Sequence, residues 1–203
     1  VKTNRGIFNF DLVVDASGAF SLLNKNKKLV IGMEAIVKRK ILPDINLFFD
    51  KSFSKNYFGW IIDVNGISKI GLMDEKLKIS EFEKFLKFFG IEKDEINEIY
   101  SYPINVGIAN KVAGKNFLIV GEASGFIKPL SLGGINFSII SSFLAYKYIK
   151  RNEIEKYEKA MKRVFWKSLK IGNFLKKVFH SIDIRFFKPF VPIAKNLDPD
   201  FLY

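Results

Sequence analysis

Residues 121–138 read GEASGFIKPLSLGGINFS and combine four glycines with a proline and a carboxylate. An apolar run, 117–120, precedes this stretch, and the segment from Ile135 onward has the composition of a helix. Glycines let a ligand approach the backbone closely, and a helix N-terminus carries unpaired N–H groups and a partial positive charge. The stretch therefore predicts a site for an anionic or electron-rich group, where Glu122 can accept hydrogen bonds from hydroxyls.

This stretch differs from the well-known phosphate-binding loops. No Gly-Lys-Ser/Thr follows its glycines, as a Walker loop requires, and they lack the GxGxxG spacing of dinucleotide-binding units. From the residues alone two interpretations stay open. The stretch is either a ligand-binding loop or a glycine-rich connection in which a helix lies close to a strand.

The composition narrows the chemistry that this chain can perform. The sequence has 203 residues, 48% of them hydrophobic, and no cysteine, which excludes disulfides, thiolate metal sites and cysteine nucleophiles. His180 is the single histidine, so we expect an ordinary helix residue there and no metal site. No apolar run reaches the ~18 residues of a membrane-spanning helix. We therefore expect a cytoplasmic protein with a sizeable core.

Positive charge is concentrated toward the C-terminus. The net charge is +12, and residues 144–203 hold 14 Lys and Arg against 6 Asp and Glu. The basic residues of 161–177 are Lys162, Arg163, Lys167, Lys170, Lys176 and Lys177. Apolar residues fall near one helical face: Met161, Val164, Phe165, Ile171, Leu175 and Val178. Such a helix can lie on an anionic membrane, or pack on the protein with its lysines in water. No nucleic-acid-binding signature accompanies the charge, so we expect no nucleic-acid partner.

Apolar alternation and turn signals predict an antiparallel sheet across roughly residues 28–73. Asn65-Gly66 is a strong signal for a hairpin turn between two strands. The predicted strands are 10–14, 28–38, 46–50, 57–64, 67–73, 100–108 and 116–120.

The predicted helices are 80–89, 135–151 and 153–177. For the first, Ser80 is the expected N-cap, Glu83 completes a capping box and Gly90 ends the helix. A break is expected in the third at Gly172-Asn173, and prolines beyond residue 188 make the tail irregular.

The order of residues in 117–138 resembles the second flavin-binding motif of the p-hydroxybenzoate-hydroxylase-like flavoproteins. That motif is an apolar strand, G-D-A-A-G, variable residues, P, then G-x-G-I opening a helix. The matching residues are Gly121, Ala123, Gly125, Pro129, Gly133 and Ile135, with Glu122 where the family usually has Asp and Leu132 at the first position of the G-x-G-I pattern. The resemblance implies FAD as cofactor and places Glu122 on its ribityl chain. It also implies that the helix start, Gly134 to Asn136, faces the flavin pyrimidine edge.

A second segment, 11–21, resembles the family's D-L-V-I-x-A-D-G-x-x-S sequence. It reads DLVVDASGAFS, and the D-A-S-G form is similar to that of geranylgeranyl reductases and their relatives. The resemblance places Asp15, Ala16 and Gly18 near the cofactor. Asn24 stands where the family often has an arginine.

A third segment, 57–63, reads YFGWIID. Geranylgeranyl reductases carry a P-x-x-Y-x-W-x-F strand that lines the lipid cavity, and here only Trp60 matches outright. Strand alternation puts Phe58, Trp60 and Ile62 on one face, which we predict to contact substrate; an apolar face equally suits a core. The W-x-W-x-I-P signature of flavin halogenases is absent.

The resemblance covers roughly residues 7–150 and implies an α+β fold. An antiparallel substrate-domain sheet stands beside the remaining strands and helices of an FAD-binding domain, and C-terminal helices follow. We assign 1–27 and 109–151 to the FAD-binding domain, 28–108 to the substrate domain and 152–203 to a basic helical region. No strand–GxGxxG–helix unit occurs, so the chain resembles the C-terminal portion of a longer flavoprotein: a fragment, a split-gene half or a decayed copy.

The function that the resemblance implies is FAD-dependent reduction of isoprenoid (geranylgeranyl) carbon–carbon double bonds in lipid biosynthesis. The sequence singles out no side chain as acid or base. A monooxygenase of the same fold and a non-catalytic membrane-surface remnant are the alternatives. The implied partners are an isoprenoid or lipid substrate, an anionic membrane and an upstream chain or segment that carries GxGxxG.

Overall fold

The computed structural model describes residues 1–181, without the side chains of Thr3 and of residues 179–181. The expected irregular tail and the side chain of His180 lie outside the described residues.

The described elements follow one another as strands, one helix, further strands and two long helices. The strands are β1 (Lys2–Thr3), β2 (Gly6–Ile7), β3 (Val13–Asp15), β4 (Leu29–Val37), β5 (Ile45–Phe48), β6 (Gly59–Val64), β7 (Ile67–Asp74), β8 (Ile96–Asn105) and β9 (Phe117–Ile119). The helices are α1 (Ile79–Phe88), α2 (Ile135–Lys150) and α3 (Tyr157–Ser181). This mixture of an antiparallel sheet, a parallel sheet and C-terminal helices confirms the predicted α+β class.

The chain divides into two compact units. The sheet unit is the continuous segment Leu29–Ile104. The interrupted unit consists of Val1–Lys28 together with the described chain from Asn105 onward. The roles expected for the four assigned segments stay predictions.

The sheet unit holds five strands in the order β5-β6-β7-β4-β8. The expected hairpin joins β6 to β7, and Asn65 and Gly66 both have positive φ, as a type I′ turn requires. Helix α1 covers one face of the sheet, where its buried Phe82 and Phe85 join Ile70 in a single apolar core. Burial of these large side chains is the main stabilising contribution in this unit.

Helix α1 begins one residue earlier than its predicted cap. The backbone N–H of Lys78 donates to the Glu81 carboxylate at 2.8 Å, so the predicted cap at Ser80 with Glu83 is wrong. Lys78 with Glu81 and Ser80 with Glu83 have the same three-residue spacing, and the first of these pairs caps the helix. Gly90 has a φ of +67° directly after the last residues of α1, and it ends the helix as predicted.

The interrupted unit is built on two parallel strands, β3 and β9, with α2 and α3 in its core. Leu118 and Phe137 are fully buried there. Tyr157 is buried beside them, and its hydroxyl donates to the Ile119 carbonyl at 3.1 Å. Burial raises the pKa of this phenol, so the hydroxyl stays protonated and serves as a donor.

Helix α3 continues through Gly172, so the predicted break at Gly172-Asn173 is wrong. A Cβ at Gly172 would lie 2.8 Å from Cδ of Pro129, so the glycine allows the proline ring to approach the helix. On the same helix Met161 and Phe165 are buried in the core, whereas Lys162, Arg163, Lys167 and Lys170 are exposed. Among the described helices, none combines the length and the apolar character that crossing a membrane requires.

Candidate functional site

Three separate segments of the interrupted unit meet around the turn that follows β9. They are the loop after β3 (15–26), the segment after β8 (105–109) and the turn itself (121–125). Asn24 joins all three, because its buried Nδ2 donates to the Gly107 carbonyl at 2.8 Å and to the Ala123 carbonyl at 3.0 Å. The amide that stands in place of the family's arginine therefore fixes the relative positions of these segments.

Asn105 is the second buried amide in this region. Its backbone N–H donates to Oε1 of Glu122 at 2.9 Å, and its Nδ2 donates to the Glu122 carbonyl at 3.1 Å. Its Oδ1 accepts from the N–H of Gly107 at 3.0 Å and from that of Lys28 at 3.3 Å. Every polar group of this side chain is engaged, so Asn105 holds the Glu122 carboxylate in place.

Glu122, the predicted ribityl contact, keeps part of its carboxylate free. The side chain is half-buried, and Oε1 is occupied by the N–H of Asn105. Within residues 1–181, Oε2 makes no hydrogen bond. A carboxylate oxygen that is held in position and has unused lone pairs can accept a hydrogen bond from a ligand hydroxyl.

Asp15 uses both of its carboxylate oxygens to organise the loop after β3. Oδ1 accepts from the N–H of Ser17 at 3.0 Å and from its hydroxyl at 2.5 Å, and Oδ2 accepts from the Ser21 hydroxyl at 2.7 Å. Burial acts to raise the pKa of Asp15, but the hydrogen bonds outweigh it and hold the pKa below its usual value. The carboxylate is therefore ionised and structural, while Ala16 is exposed beside it and Gly18 has open space around its Cα.

The glycines of the turn 121–125 are explained by the fold. Gly121 has a φ of +59°, and a Cβ there would lie 2.8 Å from the Ser138 Oγ. Gly125 has a φ of +75°, and a Cβ there would lie 2.1 Å from the Gly107 carbonyl oxygen. Only glycine fits both the left-handed backbone and these close approaches. Here the glycine-connection interpretation accounts for both residues without a ligand.

Gly133 and Gly134, by contrast, have no such structural requirement. Neither has a positive φ, and a Cβ at either position would meet no described atom closer than 3.4 Å, an ordinary contact with a side chain. The fold would therefore accept an alanine Cβ at both positions. A ligand that approaches the backbone gives the physical reason for two glycines at this place.

These two glycines lie at the start of helix α2. Gly134 is the N-cap residue, no described side chain caps the helix, and its first turn contains no acid. Ile135 and Asn136 follow and are exposed. The N–H groups of this turn thus face an accessible surface with a partial positive charge, which suits an electron-rich ligand edge.

The loop before α2 is closed by its own backbone. The N–H of Lys128 donates to the Gly133 carbonyl at 3.2 Å, and the N–H of Leu132 donates to the Lys128 carbonyl at 3.0 Å. Leu132 has a φ of +57°, which is uncommon for a residue other than glycine, and its side chain is buried. Together with the contact of Pro129 on α3, these bonds hold the glycine pair in one conformation.

The predicted substrate residues lie in the sheet unit. Trp60, Gly71 and Glu34 are paired across β6, β7 and β4 in one row, on the face opposite α1. The indole of Trp60 lies across Gly71, where a Cβ would be 1.9 Å from its ring, and its Nε1–H donates to Oε2 of Glu34 at 3.0 Å. Ile62 is half-buried on the same face, and Phe58 is buried just before β6, with its ring centre 6.3 Å from that of Trp60.

The structure therefore brings the predicted cofactor residues into one unit and the predicted substrate residues into the other. Asn105 and Glu34 are residues that the sequence analysis did not single out, and Asn24 was noted there only as a departure from the family pattern. Asn105 carries a weak signal, because a polar residue followed by Val-Gly interrupts an apolar strand end. Asn24 and Glu34 carry none, because their partners are 83 and 26 residues away in sequence.

No protein-family model matches the chain. An uncharacterized protein of Methanocaldococcus jannaschii is 27% identical over 193 residues, covering 84% of this chain and 50% of the relative. The digeranylgeranylglycerophospholipid reductase of the same organism is 29% identical over 147 residues, covering 59% of this chain and 37% of the reductase. The chain thus spans half or less of the length of these relatives.

Solved structures with a similar fold include a reductase-like protein, a tetracycline destructase and a flavin-dependent halogenase. A geranylgeranyl bacteriochlorophyll reductase-like protein of Thermoplasma acidophilum superposes with a TM-score of 0.71 at 17% identity, covering 90% of this chain and 54% of that one. The tetracycline destructase Tet(51) superposes with a TM-score of 0.62 at 14% identity, covering 95% of this chain and 62% of the destructase. The flavin-dependent halogenase CmlS superposes with a TM-score of 0.58 at 15% identity, covering 80% of this chain and 35% of the halogenase.

These similarities define the fold, which this chain shares with a reductase-like protein and a flavin-dependent halogenase. The predicted resemblance to geranylgeranyl reductase-like proteins is confirmed by the fold and by weak sequence similarity to a reductase of geranylgeranyl lipids.

Proposed function

We propose that the interrupted unit is the flavin-side portion of an FAD-dependent reductase of isoprenoid (geranylgeranyl) double bonds in lipids. The observation that carries this proposal is the glycine pair Gly133-Gly134 at the uncapped start of α2. The fold requires glycine at neither position, so a ligand against the backbone is the remaining physical reason for the pair. The second support is the relative whose name specifies reduction of a digeranylgeranyl phospholipid.

The residues of this unit fit the central part of FAD. The free Oε2 of Glu122 would accept a hydrogen bond from a ribityl hydroxyl, and the first N–H groups of α2 would face the electron-rich pyrimidine edge. Asn105 holds the Glu122 carboxylate, and Asn24 holds the turn that carries it. When bound, FAD supplies the hydride-transfer chemistry, and this chain supplies orientation. The ADP half would be held by an upstream chain or segment with a GxGxxG unit.

For the isoprenoid substrate we propose the sheet face that carries Trp60. The indole, held by Glu34 and lying across Gly71, gives a flat apolar surface, and Ile62 extends it. Such a surface suits a chain of isoprene units, which binds through buried apolar area. Phe58 would support the indole from behind through its edge contact.

The flavin site is tested by absorbance spectra of the purified chain with FAD, alone and with a GxGxxG-bearing partner. A shifted, structured flavin band is expected, together with its loss in a Gly133→Val/Gly134→Val variant. Asn110→Val, on an exposed loop of the same unit, is the matched control and should retain the band. If neither the chain nor its combination with a partner binds flavin, the proposal is wrong.

The reaction is tested anaerobically with chemically reduced flavin and a geranylgeranyl lipid. Mass spectrometry should show a gain of two hydrogens for each double bond reduced. Substrate-dependent hydroxylation or peroxide formation under oxygen would instead favour the monooxygenase alternative.

We also propose peripheral contact of α3 with an anionic membrane. Trp166 and Phe174 are exposed on this helix near the exposed basic residues, and the Lys170 Nζ lies 5.3 Å from the centre of the Trp166 ring. Basic and aromatic side chains together favour a lipid headgroup layer. Replacing Lys162, Arg163, Lys167 and Lys170 with glutamine should abolish binding to anionic vesicles, and unchanged binding would remove this proposal. Vesicle binding without any flavin binding would favour the non-catalytic remnant.

A further inference from the structure

A cleft opens in the interrupted unit between the loop 111–115 and residues 155–162 around the start of helix α3. Its volume of about 520 Å³ lies in the range of ~300–1,000 Å³ that is usual for small-ligand sites. None of the described residues that line it belongs to the predicted flavin or substrate positions. The charged residues of its lining are Lys111, Lys115, Glu155, Glu158, Lys159 and Lys162.

Glu158 holds the two sides of the cleft together. Its Oε2 accepts from the N–H of Val112 at 3.1 Å, and its Oε1 accepts from the Lys162 ammonium at 2.7 Å. Burial acts to raise the pKa of Glu158, but these hydrogen bonds outweigh it and hold the pKa below its usual value. The carboxylate is therefore ionised, links the loop to the helix and balances the charge of Lys162.

The loop side of the cleft is also fixed by its own backbone. The N–H of Gly114 donates to the Phe117 carbonyl at 2.9 Å. A Cβ at Gly114 would lie 2.2 Å from the Phe117 ring, so the glycine allows the ring to lie against the turn. Lys111 and Lys115 thus extend from a backbone that is held in place without a ligand, which lowers the entropy cost of binding one.

Three lysines of the cleft have no partner of opposite charge. The side chains of Lys111, Lys115 and Lys159 are exposed, and within the part of the chain that the structure describes they form no ion pair. Exposed lysines elsewhere do find carboxylates, as Lys93 does with Glu83 at 2.9 Å. Unpaired ammonium groups gathered around a recess raise the local concentration of anions.

The surplus charge indicates the kind of anion. Once the pair Lys162–Glu158 is set aside, three lysines and Glu155 remain in the lining, and three positive charges less one negative charge give +2. A phosphate monoester carries about −1.5 to −2 charges at pH 7 and has three strong acceptor oxygens. A lysine ammonium donates well to such oxygens. Phosphate therefore matches the cleft in charge and in the number of available donors, whereas a carboxylate would balance only half of the surplus.

We propose that this cleft binds a phosphate monoester, whose oxygens accept hydrogen bonds from Lys111, Lys115 and Lys159. The site goes beyond the proposed function, because it requires neither a flavin nor an isoprenoid chain. The same phosphate chemistry is offered by an anionic lipid headgroup and by a soluble phosphate ester, so the experiment has one arm for each source.

The full chain is titrated with phenyl phosphate by calorimetry, and its co-sedimentation is measured with phosphatidylcholine vesicles that contain phosphatidic acid. The cleft variant Lys111→Gln/Lys115→Gln/Lys159→Gln should weaken binding about tenfold or more, because three charge-assisted hydrogen bonds are lost. The matched control Lys2→Gln/Lys27→Gln/Lys87→Gln removes the same charge from other exposed positions and should bind like the unchanged chain. Because all of these side chains are exposed, the thermal midpoints should change little.

The protonation of the ligand gives a second measurement. The affinity for phenyl phosphate should fall as pH is lowered through about 6, where a phosphate monoester takes up its second proton while lysines stay charged. An affinity that does not change over this range would contradict recognition of the doubly charged phosphate.

The two arms separate the sources of the phosphate. Phenyl phosphate binding that the cleft variant loses supports a site for soluble esters, and a loss confined to the vesicle arm supports a site for a lipid headgroup. Binding of neither probe, or equal weakening by the cleft variant and its control, would overturn the proposal. Vesicle binding that only the four glutamine substitutions on α3 abolish would also overturn it, and would leave the membrane contact of α3 standing. The flavin band should be the same in the cleft variant, so a failure here is distinct from a failure of the flavin site.

Discussion

The turn 121–125 and the loop 128–134 belong to one glycine-rich segment, and their glycines are required for different reasons. In the turn, Gly121 and Gly125 have positive φ and lie against neighbouring atoms at distances that exclude a Cβ. In the loop, Gly133 and Gly134 have neither property. A motif that reads as one unit in sequence is therefore part scaffold and part candidate contact surface.

This difference separates two kinds of substitution. A change in the turn should lower the free energy of unfolding, and flavin binding would be lost only because the site no longer forms. A change at the glycine pair should leave the free energy of unfolding nearly intact and act on binding directly. The following predictions test that separation, beginning with the largest expected effect.

Gly125→Ala should lower the free energy of unfolding by about 3 kcal/mol. The alanine Cβ would meet the Gly107 carbonyl oxygen in addition to the cost of a left-handed backbone. Urea unfolding of the purified variant measures the change. Gly90→Ala is the control, because Gly90 has a φ of +67° and no atom within 4 Å of its Cβ position, so it isolates the backbone cost of about 1 kcal/mol. Equal losses in the free energy of unfolding for Gly125→Ala and Gly90→Ala would contradict the close contact between the turn 121–125 and the segment 105–109.

Asn24→Leu should cost about 2 kcal/mol in the same experiment. The Gly107 and Ala123 carbonyls would lose a buried donor, and an unsatisfied buried acceptor costs more than the bond itself contributes. Asn110→Leu, at an exposed position, controls for the change of residue type. A neutral outcome would mean that water replaces the amide and that Asn24 does not join the segments.

The loop around Asp15 should make unfolding pH-dependent in the acid range. Its pKa is lowered in the folded state, so its contribution to the free energy of unfolding is complete above the usual value near 3.8 and is lost as pH falls through the folded pKa. Urea unfolding between pH 6 and about pH 3 measures this loss. Asp15→Asn should be less stable at neutral pH and show a smaller decline; an unchanged decline would assign the acid sensitivity to other carboxylates.

Gly133→Ala should have the smallest effect on folding, within about 0.5 kcal/mol, because its Cβ would make only ordinary contacts with side chains. Flavin titration of the same variant, with a GxGxxG-bearing partner where one is needed, should show at least tenfold weaker binding. Unchanged flavin affinity would remove the reason for assigning this glycine to the ligand.

Much of the fold followed from local sequence patterns. Alternation located β4, β6 and β7, and the Asn65-Gly66 turn fixed their hairpin, because period and turn chemistry are local properties. Gly172 misled for the opposite reason. Glycine is needed at position 172 because the ring of Pro129, which is distant in sequence, lies against the helix there. The residue that looked like a helix breaker is therefore a contact point within a continuous helix.

In the candidate site too, residues with local signals were predicted and residues with distant partners were not. The residues of the flavin-like motif were found by their order, although their contact with a cofactor stays a prediction. Asn24 was noticed only as a departure from the family pattern, and Asn105 was not noticed at all. Their partners come from other segments, and no spacing rule in a single sequence connects an asparagine with a carbonyl many residues away.

The insertion of the sheet unit into the interrupted unit has a consequence for the order of folding. Leu29–Ile104 is continuous, and β5, β6 and β7 pair within it in chain order, whereas the segments joined by Asn24 must first be brought across that entire length of chain. Once the sheet has formed, its two ends lie together, because the N–H of Val106 donates to the Lys28 carbonyl at 2.8 Å. Loop closure then costs little entropy. Assembly of the interrupted unit is therefore expected to wait for the sheet unit, and slow formation of the sheet would delay both.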